Sequence, residues 1–194
     1  MRCFICIAIL FIANLGFAQS AILEKSLSDS ALALTKQDVT YDPSYISIDY
    51  PNGDVPSDKG VCTDVIIRAY RKMGVDLQKE VHEDMKAHFD EYPKIWGLQS
   101  TDKNIDHRRV PNLMLFFKRK GAEKLISDDA KDYLPGDIVS WRLPNGMTHI
   151  GIVVDKKSFD SKRNLIVHNI GAGQVLQDCL FDYKIIGHYR YLPF

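Results

Sequence analysis

The sequence predicts an α+β domain, with helices in its first half packed on an antiparallel sheet formed by its second half. Two observations carry that expectation. Between residues 20 and 121, apolar residues recur every three to four positions, the period of a helix with one buried face. After Pro135-Gly136-Asp137 the pattern changes to short apolar runs separated by turn residues, as in strands joined by hairpins. Helices followed by strands, rather than alternating with them, are the mark of the α+β class.

The elements follow in chain order. Arg2, the apolar run from Cys3 to Leu15 and the small residues around Gly16-Phe17-Ala18 form an export signal over residues 1–18. A membrane-spanning helix is the competing reading, but the run is shorter than the roughly 20 residues a bilayer needs. The expected product is a soluble periplasmic or secreted protein with no stable membrane insertion, beginning near Gln19. Residues 19–40 carry an amphipathic helix through Leu23, Leu27, Ala31 and Leu34, and residues 41–194 form one domain. Within it, Tyr45 to Tyr50 alternates like a half-buried strand. Helices are expected over Cys62–Met73, stopped by Gly74, over Leu77–Phe89, and from Pro111 to Gly121. Strands are expected at Ile138–Trp141, Ile150–Val154, Leu165–Ile170 and Ile185–Tyr191, with Asn145-Gly146 as a type I′ hairpin turn between the first two.

Charge excludes one class of function. The 25 acidic and 25 basic residues cancel, so no global field draws the chain to nucleic acid. Removing the signal leaves Cys62 and Cys179, which an oxidising compartment allows to pair as a disulfide or to remain free. Cys62 lies in Gly60-Val61-Cys62-Thr63-Asp64 at the start of a predicted helix, where unpaired N–H groups and the positive dipole end favour a thiolate. The Cys62 amide is placed to help hold an oxyanion, and Asp64 reads as a helix-start residue aimed away from the sulfur. Cys179, among Leu176, Leu180 and Phe181, reads as a small buried hydrophobe.

A thiol nucleophile needs a base, and Thr148-His149-Ile150-Gly151-Ile152 presents His149 at the start of a central strand. A lone histidine there is otherwise structural. Gly151 is expected to leave room for the helix that bears the cysteine. The base needs an acceptor to hold its tautomer, and Val167-His168-Asn169 offers His168, with Asn169 as the alternative, since neighbours on a strand face opposite ways.

These segments carry a resemblance. Gly136-Asp137-Ile138-Val139, His149-Ile150-Gly151-Ile152 and Val167-His168 resemble the strand signature of NlpC-type cell-wall cysteine peptidases, which are papain-like. Gly60-Val61-Cys62-Thr63-Asp64-Val65, Asn104-Ile105-Asp106-His107-Arg108-Arg109-Val110-Pro111 and His168-Asn169-Ile170-Gly171 resemble an exported bacterial family, domain of unknown function 1287, over about Tyr41 to Tyr191. The first likeness implies a papain-like fold and an amide hydrolase with Cys62, His149 and His168 as its triad and no cofactor. A departure from that pattern is Val61 before the cysteine and Thr63-Asp64 after it, where NlpC-type enzymes carry an aspartate and a serine-glycine pair.

The substrate implied by that likeness and by export is peptidoglycan stem peptide or another peptide amide. A transferase, or a non-catalytic cell-wall binding module with bridged cysteines, is the alternative. Arg108 and Arg109 are candidate carboxylate ligands, with Arg108 slightly preferred. Tyr50 is the candidate nearest the oxyanion, Trp96, Trp141 and the tyrosines around Tyr50 are candidates to line a groove, and Asn169 is a further candidate contact. His82, Glu83, Asp84 and His88 crowd one helix, but a spacing of six puts the histidines on different faces, which reads as a solvated surface and not a metal site.

Overall fold

Apolar spacing builds four helices among the residues that the computed structural model describes, 23–193. The signal expected over residues 1–18 lies outside them. Helix α1 covers 23–34 and buries Leu27, Ala31 and Leu34. Helices α2 (Cys62–Lys72), α3 (Leu77–Ala87) and α4 (Val110–Arg119) follow. Gly74 and Gly121, just past α2 and α4, hold φ of +83° and +70°, the left-handed conformation that ends a helix at little cost for glycine. No helix among the described residues is long and apolar enough to cross a membrane.

The sheet comprises β3 (Ile138–Arg142), β4 (Thr148–Lys157), β5 (Asn164–His168), β6 (Val175–Gln177) and β7 (Lys184–Tyr189), after a two-stranded parallel pair of β1 (Thr40–Tyr41) and β2 (Lys59–Gly60). Its order is β6-β5-β4-β3-β7, every neighbouring pair antiparallel. Both faces are covered. Ile138, Ile150, Ile152, Val154 and Val167 pack beneath α1, α2 and α4 in the main core. Alternate positions Val139, Trp141, Val153 and Ile166 pack with Tyr133, Cys179 and Leu180 on the other side.

Three expectations need correction. Residues 45–50 form no strand, because their polar bonds go to a loop instead: Ile48 N donates to Asn104 Oδ1 (3.0 Å) and Tyr45 Oη to Asp102 (2.9 Å). The β3–β4 turn is not type I′, since Gly146 takes φ +83° but Asn145 stays negative. Gly146 N donates to Leu143 O and Leu143 N to Met147 O, each at 2.9 Å. Pro144 and Asn145 are therefore the central residues, a position that suits the fixed negative φ of proline. Finally, the expected strands omit β6, a three-residue edge strand too short to leave a periodic signal.

Candidate active site

Cys62 is the first residue of α2 and its side chain is buried. The segment that delivers it is held at several points. Asp64 Oδ2 accepts from Val61 N at 2.7 Å, closing the helix start, and the same carboxylate receives a fork from Arg108, Nε to Oδ1 at 2.9 Å and Nη2 to Oδ2 at 3.0 Å. Thr63 Oγ1 donates to Arg108 O. A Cβ at Gly60 would stand 3.2 Å from Asp64 Cβ, so the glycine permits the close approach of β2 to α2. The Thr63-Asp64 pair is thus the latch that seats the cysteine against the turn at Asp106–Arg108.

The backbone amides of Ile150 on β4, of Thr63 and of Cys62 itself act on the sulfur. These donors favour a thiolate, but burial opposes it more strongly and Asp64 adds to the opposition, pushing the thiol up to about 12. The thiolate expected from the helix N-terminus is therefore not the resting state.

His149 follows Thr148 on β4 and is buried, its ring stacked on Trp141 with centroids 5.7 Å apart. Its Nε2 lies 2.8 Å from His168 Nδ1. Burial, then the neighbouring His168, lowers the His149 imidazole to about 3; burial also lowers His168. Both rings are neutral at pH 7. No hydrogen bond joins the Cys62 sulfur to the His149 ring in this geometry. Gly151 serves β5 and not α2, since a Cβ there would meet Ile166 Cγ2 at 2.7 Å and His168 Cβ at 3.1 Å.

A groove of about 460 Å³ opens over Cys62, lined by Tyr41, Tyr45, Trp96, Arg109, Met147 and Thr148 among others. Arg109 stacks over Trp96 at 4.1 Å, and its Nη1 is buried without a hydrogen-bond partner. Arg108 also borders the groove, yet its guanidinium is spent on Asp64 and Ser44 O. Asn169 is buried and turned inward, Nδ2 donating to Gly60 O and Oδ1 accepting from Gly171 N, so it braces β2 rather than facing the groove. Tyr50 is not a groove residue. Its neighbours Asn52 and Gly53 are tied to Asp76 and Gln78 at the start of α3, which carries the Tyr50 ring onto His82, centroids 5.2 Å apart. Trp141 is fully buried, its Nε1 donating to Leu180 O. Cys62 and Cys179 are both free thiols.

A family model described as "Domain of unknown function (DUF1287)" matches residues 28–191. The chain belongs to the DUF1287 family. A relative, "Uncharacterized protein YijF" of Escherichia coli (strain K12), is 51% identical over 166 residues, covering 86% of this DUF1287 chain and 80% of that protein. An N-acetylmuramoyl-L-alanine amidase from Bacteroides uniformis superposes with a TM-score of 0.51 at 14% identity, over 86% of this chain and 97% of that one. NlpC1 from Trichomonas vaginalis gives a TM-score of 0.43 at 20% identity over 84% of this chain, which spans 44% of that protein's length. The amidase likeness shows a shared fold.

Proposed function

We propose that this DUF1287 chain is an exported cysteine hydrolase that cleaves an amide bond in peptidoglycan stem peptides, with Cys62 as nucleophile, His149 as base and His168 orienting the base. The observation that carries the reading is a helix-start cysteine opening onto a groove and held against β4 one residue from His149, whose far nitrogen is already engaged by His168 at 2.8 Å. The fold shared with a muramoyl-alanine amidase supports the substrate class. The free thiols favour a hydrolase over a binding module with bridged cysteines.

The neutral resting pair dictates the order of events. Cys62 attacks the carbonyl carbon as its proton passes to His149, so charge forms only as the bond forms. The amide of Cys62 and that of Thr63 are the donors available to the developing oxyanion. His149 then returns the proton to the leaving amine, and water, deprotonated by the same ring, releases the acyl group from sulfur. Arg109, which lines the groove and forms no salt bridge among the described residues, holds a substrate carboxylate, and Trp96 keeps the guanidinium plane in place.

The test is alkylation of Cys62 against pH, with purified sacculi digested in parallel. Cys62 reactivity should climb through pH 7–9 without a plateau in the acid range, because the thiol lies well above its ordinary value. His149→Ala should slow alkylation at pH 7 by about 10²-fold, and Cys62→Ser should abolish release of new amino termini from sacculi. Unchanged alkylation in His149→Ala, or sacculus cleavage by Cys62→Ser, overturns the assignment.

A further inference from the structure

His168 is engaged at both nitrogens, and the second contact comes from β6. Its Nδ1 faces His149 Nε2 at 2.8 Å, while its Nε2 lies 3.0 Å from Gln177 Oε1 and 3.6 Å from Cys179 Sγ. Register explains the reach. Gln177 pairs with Ile166 and Val175 with His168, so Gln177 projects from the same face as His168, one diagonal step along the ladder.

A neutral imidazole carries one proton, and its two nitrogens have opposite roles. An amide oxygen only accepts. Opposite Gln177 Oε1, His168 must therefore carry its proton on Nε2, leaving Nδ1 as acceptor. His149 Nε2 must then be the donor, and its Nδ1 is left bare. The Cys179 thiol offers the reverse arrangement, because S–H donation to His168 Nε2 would put the His168 proton on Nδ1. That would drive the His149 proton to its own Nδ1, where the ring is no base for a thiol.

We propose that Gln177 is a positioning residue for the hydrolase: its side-chain carbonyl selects the His168 tautomer that leaves His149 Nδ1 free to take the Cys62 proton, against the competing donor Cys179. The inference rests on the Cys62–His149 reading above for its catalytic consequence, but its structural content stands apart from it. Gln177 is exposed on an edge strand, so replacing it removes the carbonyl without opening a core cavity.

The experiment reads the tautomers directly. In protein labelled with ¹⁵N-histidine, Nδ1 and Nε2 shifts are measured at pH 7.5 for wild type, Gln177→Leu, Gln177→Glu and the double variant Gln177→Leu/Cys179→Ala, with iodoacetamide alkylation of Cys62 followed on the same samples. Wild type and Gln177→Glu should carry the proton on Nε2 of both rings. Gln177→Leu should move it to Nδ1 of both and slow Cys62 alkylation about tenfold through the wrong tautomer of the base, and removing Cys179 as well should recover part of that loss. A His168 that keeps its Nε2 proton in Gln177→Leu overturns the proposal. A tautomer switch with unchanged alkylation supports the role of Gln177 at His168 and overturns the coupling of His149 to Cys62.

Discussion

At the scale of single residues, two adjacent arginines with the same charge have been given opposite tasks. Arg108 is buried in a fork with Asp64, itself the helix-start acceptor for Val61 N. Removing the guanidinium leaves a buried carboxylate unpaired, a loss of about 3–5 kcal/mol. Arg108→Ala should therefore lower the urea midpoint sharply and loosen the cysteine segment with it. Arg109 makes no salt bridge among the described residues; it has the Trp96 ring, an unspent Nη1 and the more distant charges of Asp106 and Asp102. Arg109→Gln should change stability by less than about 1 kcal/mol, the scale of an exposed cation–π contact, but weaken the binding of carboxylate-bearing peptides by about 10- to 100-fold, as for a lost hydrogen bond to a charge. Isothermal titration on the Cys62→Ser protein separates the two, and equal affinities for Arg109→Gln and its parent would remove Arg109 from the substrate site. Sequence slightly preferred Arg108 as the substrate contact, and the fold reverses that order, because nothing in Asp106-His107-Arg108-Arg109 says which guanidinium turns back to meet a carboxylate 44 positions earlier.

At the scale of elements, the site is set by how β5 lies against β4. Gly151 faces His168 across that ladder, and a methyl at this position would fall 2.7 Å from Ile166 Cγ2 and 3.1 Å from His168 Cβ. Gly151→Ala should destabilise the protein by about 1–3 kcal/mol through overpacking. It should also slow Cys62 alkylation at pH 7, since relief of the clash displaces His168. Normal alkylation in a destabilised Gly151→Ala would mean that His168 is not held by this contact. The helices and the longer strands were legible because burial writes its period into ten or more residues, as in α2 through Ile66, Ala69 and Tyr70. The residues 45–50 misled because alternation reports a half-buried chain and not its partner, which is Asn104 and Asp102 rather than a strand. Strand β6 was invisible for the opposite reason: three residues with mostly exposed side chains leave no pattern, although they carry the carbonyl that faces His168. Cys62, His149 and His168 were chosen from their local settings and Arg109 was put forward beside Arg108, whereas Gln177 and the groove residue Tyr41 depend on contacts that only the fold creates.

At the scale of the whole molecule, the burial that builds the site also makes the fold sensitive to acid. His149 and His107 are buried with imidazoles lowered to about 3, by burial first, then by His168 at His149 and by Arg108 and Arg71 at His107. Burial lowers His168 as well. His149 and His107 bind a proton in the unfolded chain near pH 6.5 but not in the native state until about pH 3. The stability from their neutral burial is thus fully present above about pH 6.5 and is lost as pH falls toward 3. Where the unfolded state holds one more proton, the slope is about 1.4 kcal/mol per pH unit for each such histidine. Two of them together would consume about 10 kcal/mol before the native pKa is reached, the middle of the typical total of about 5–15 kcal/mol, so the protein should unfold in acid as pH approaches 3. Carboxylates held low by partners, such as Asp84 with Arg119, add to the loss only below about pH 4. Urea titrations between pH 4.5 and 7 should show the slope, and His107→Gln should reduce it by about 1.4 kcal/mol per pH unit while leaving His149 and His168 in place. His107 is the discriminating choice because its Nδ1 has no partner in the fold, so the substitution tests burial of a neutral ring and not a hydrogen bond. A His107→Gln protein with the full wild-type slope would mean that His107 is already protonated when folded, and the acid lability would then belong to His149 and His168.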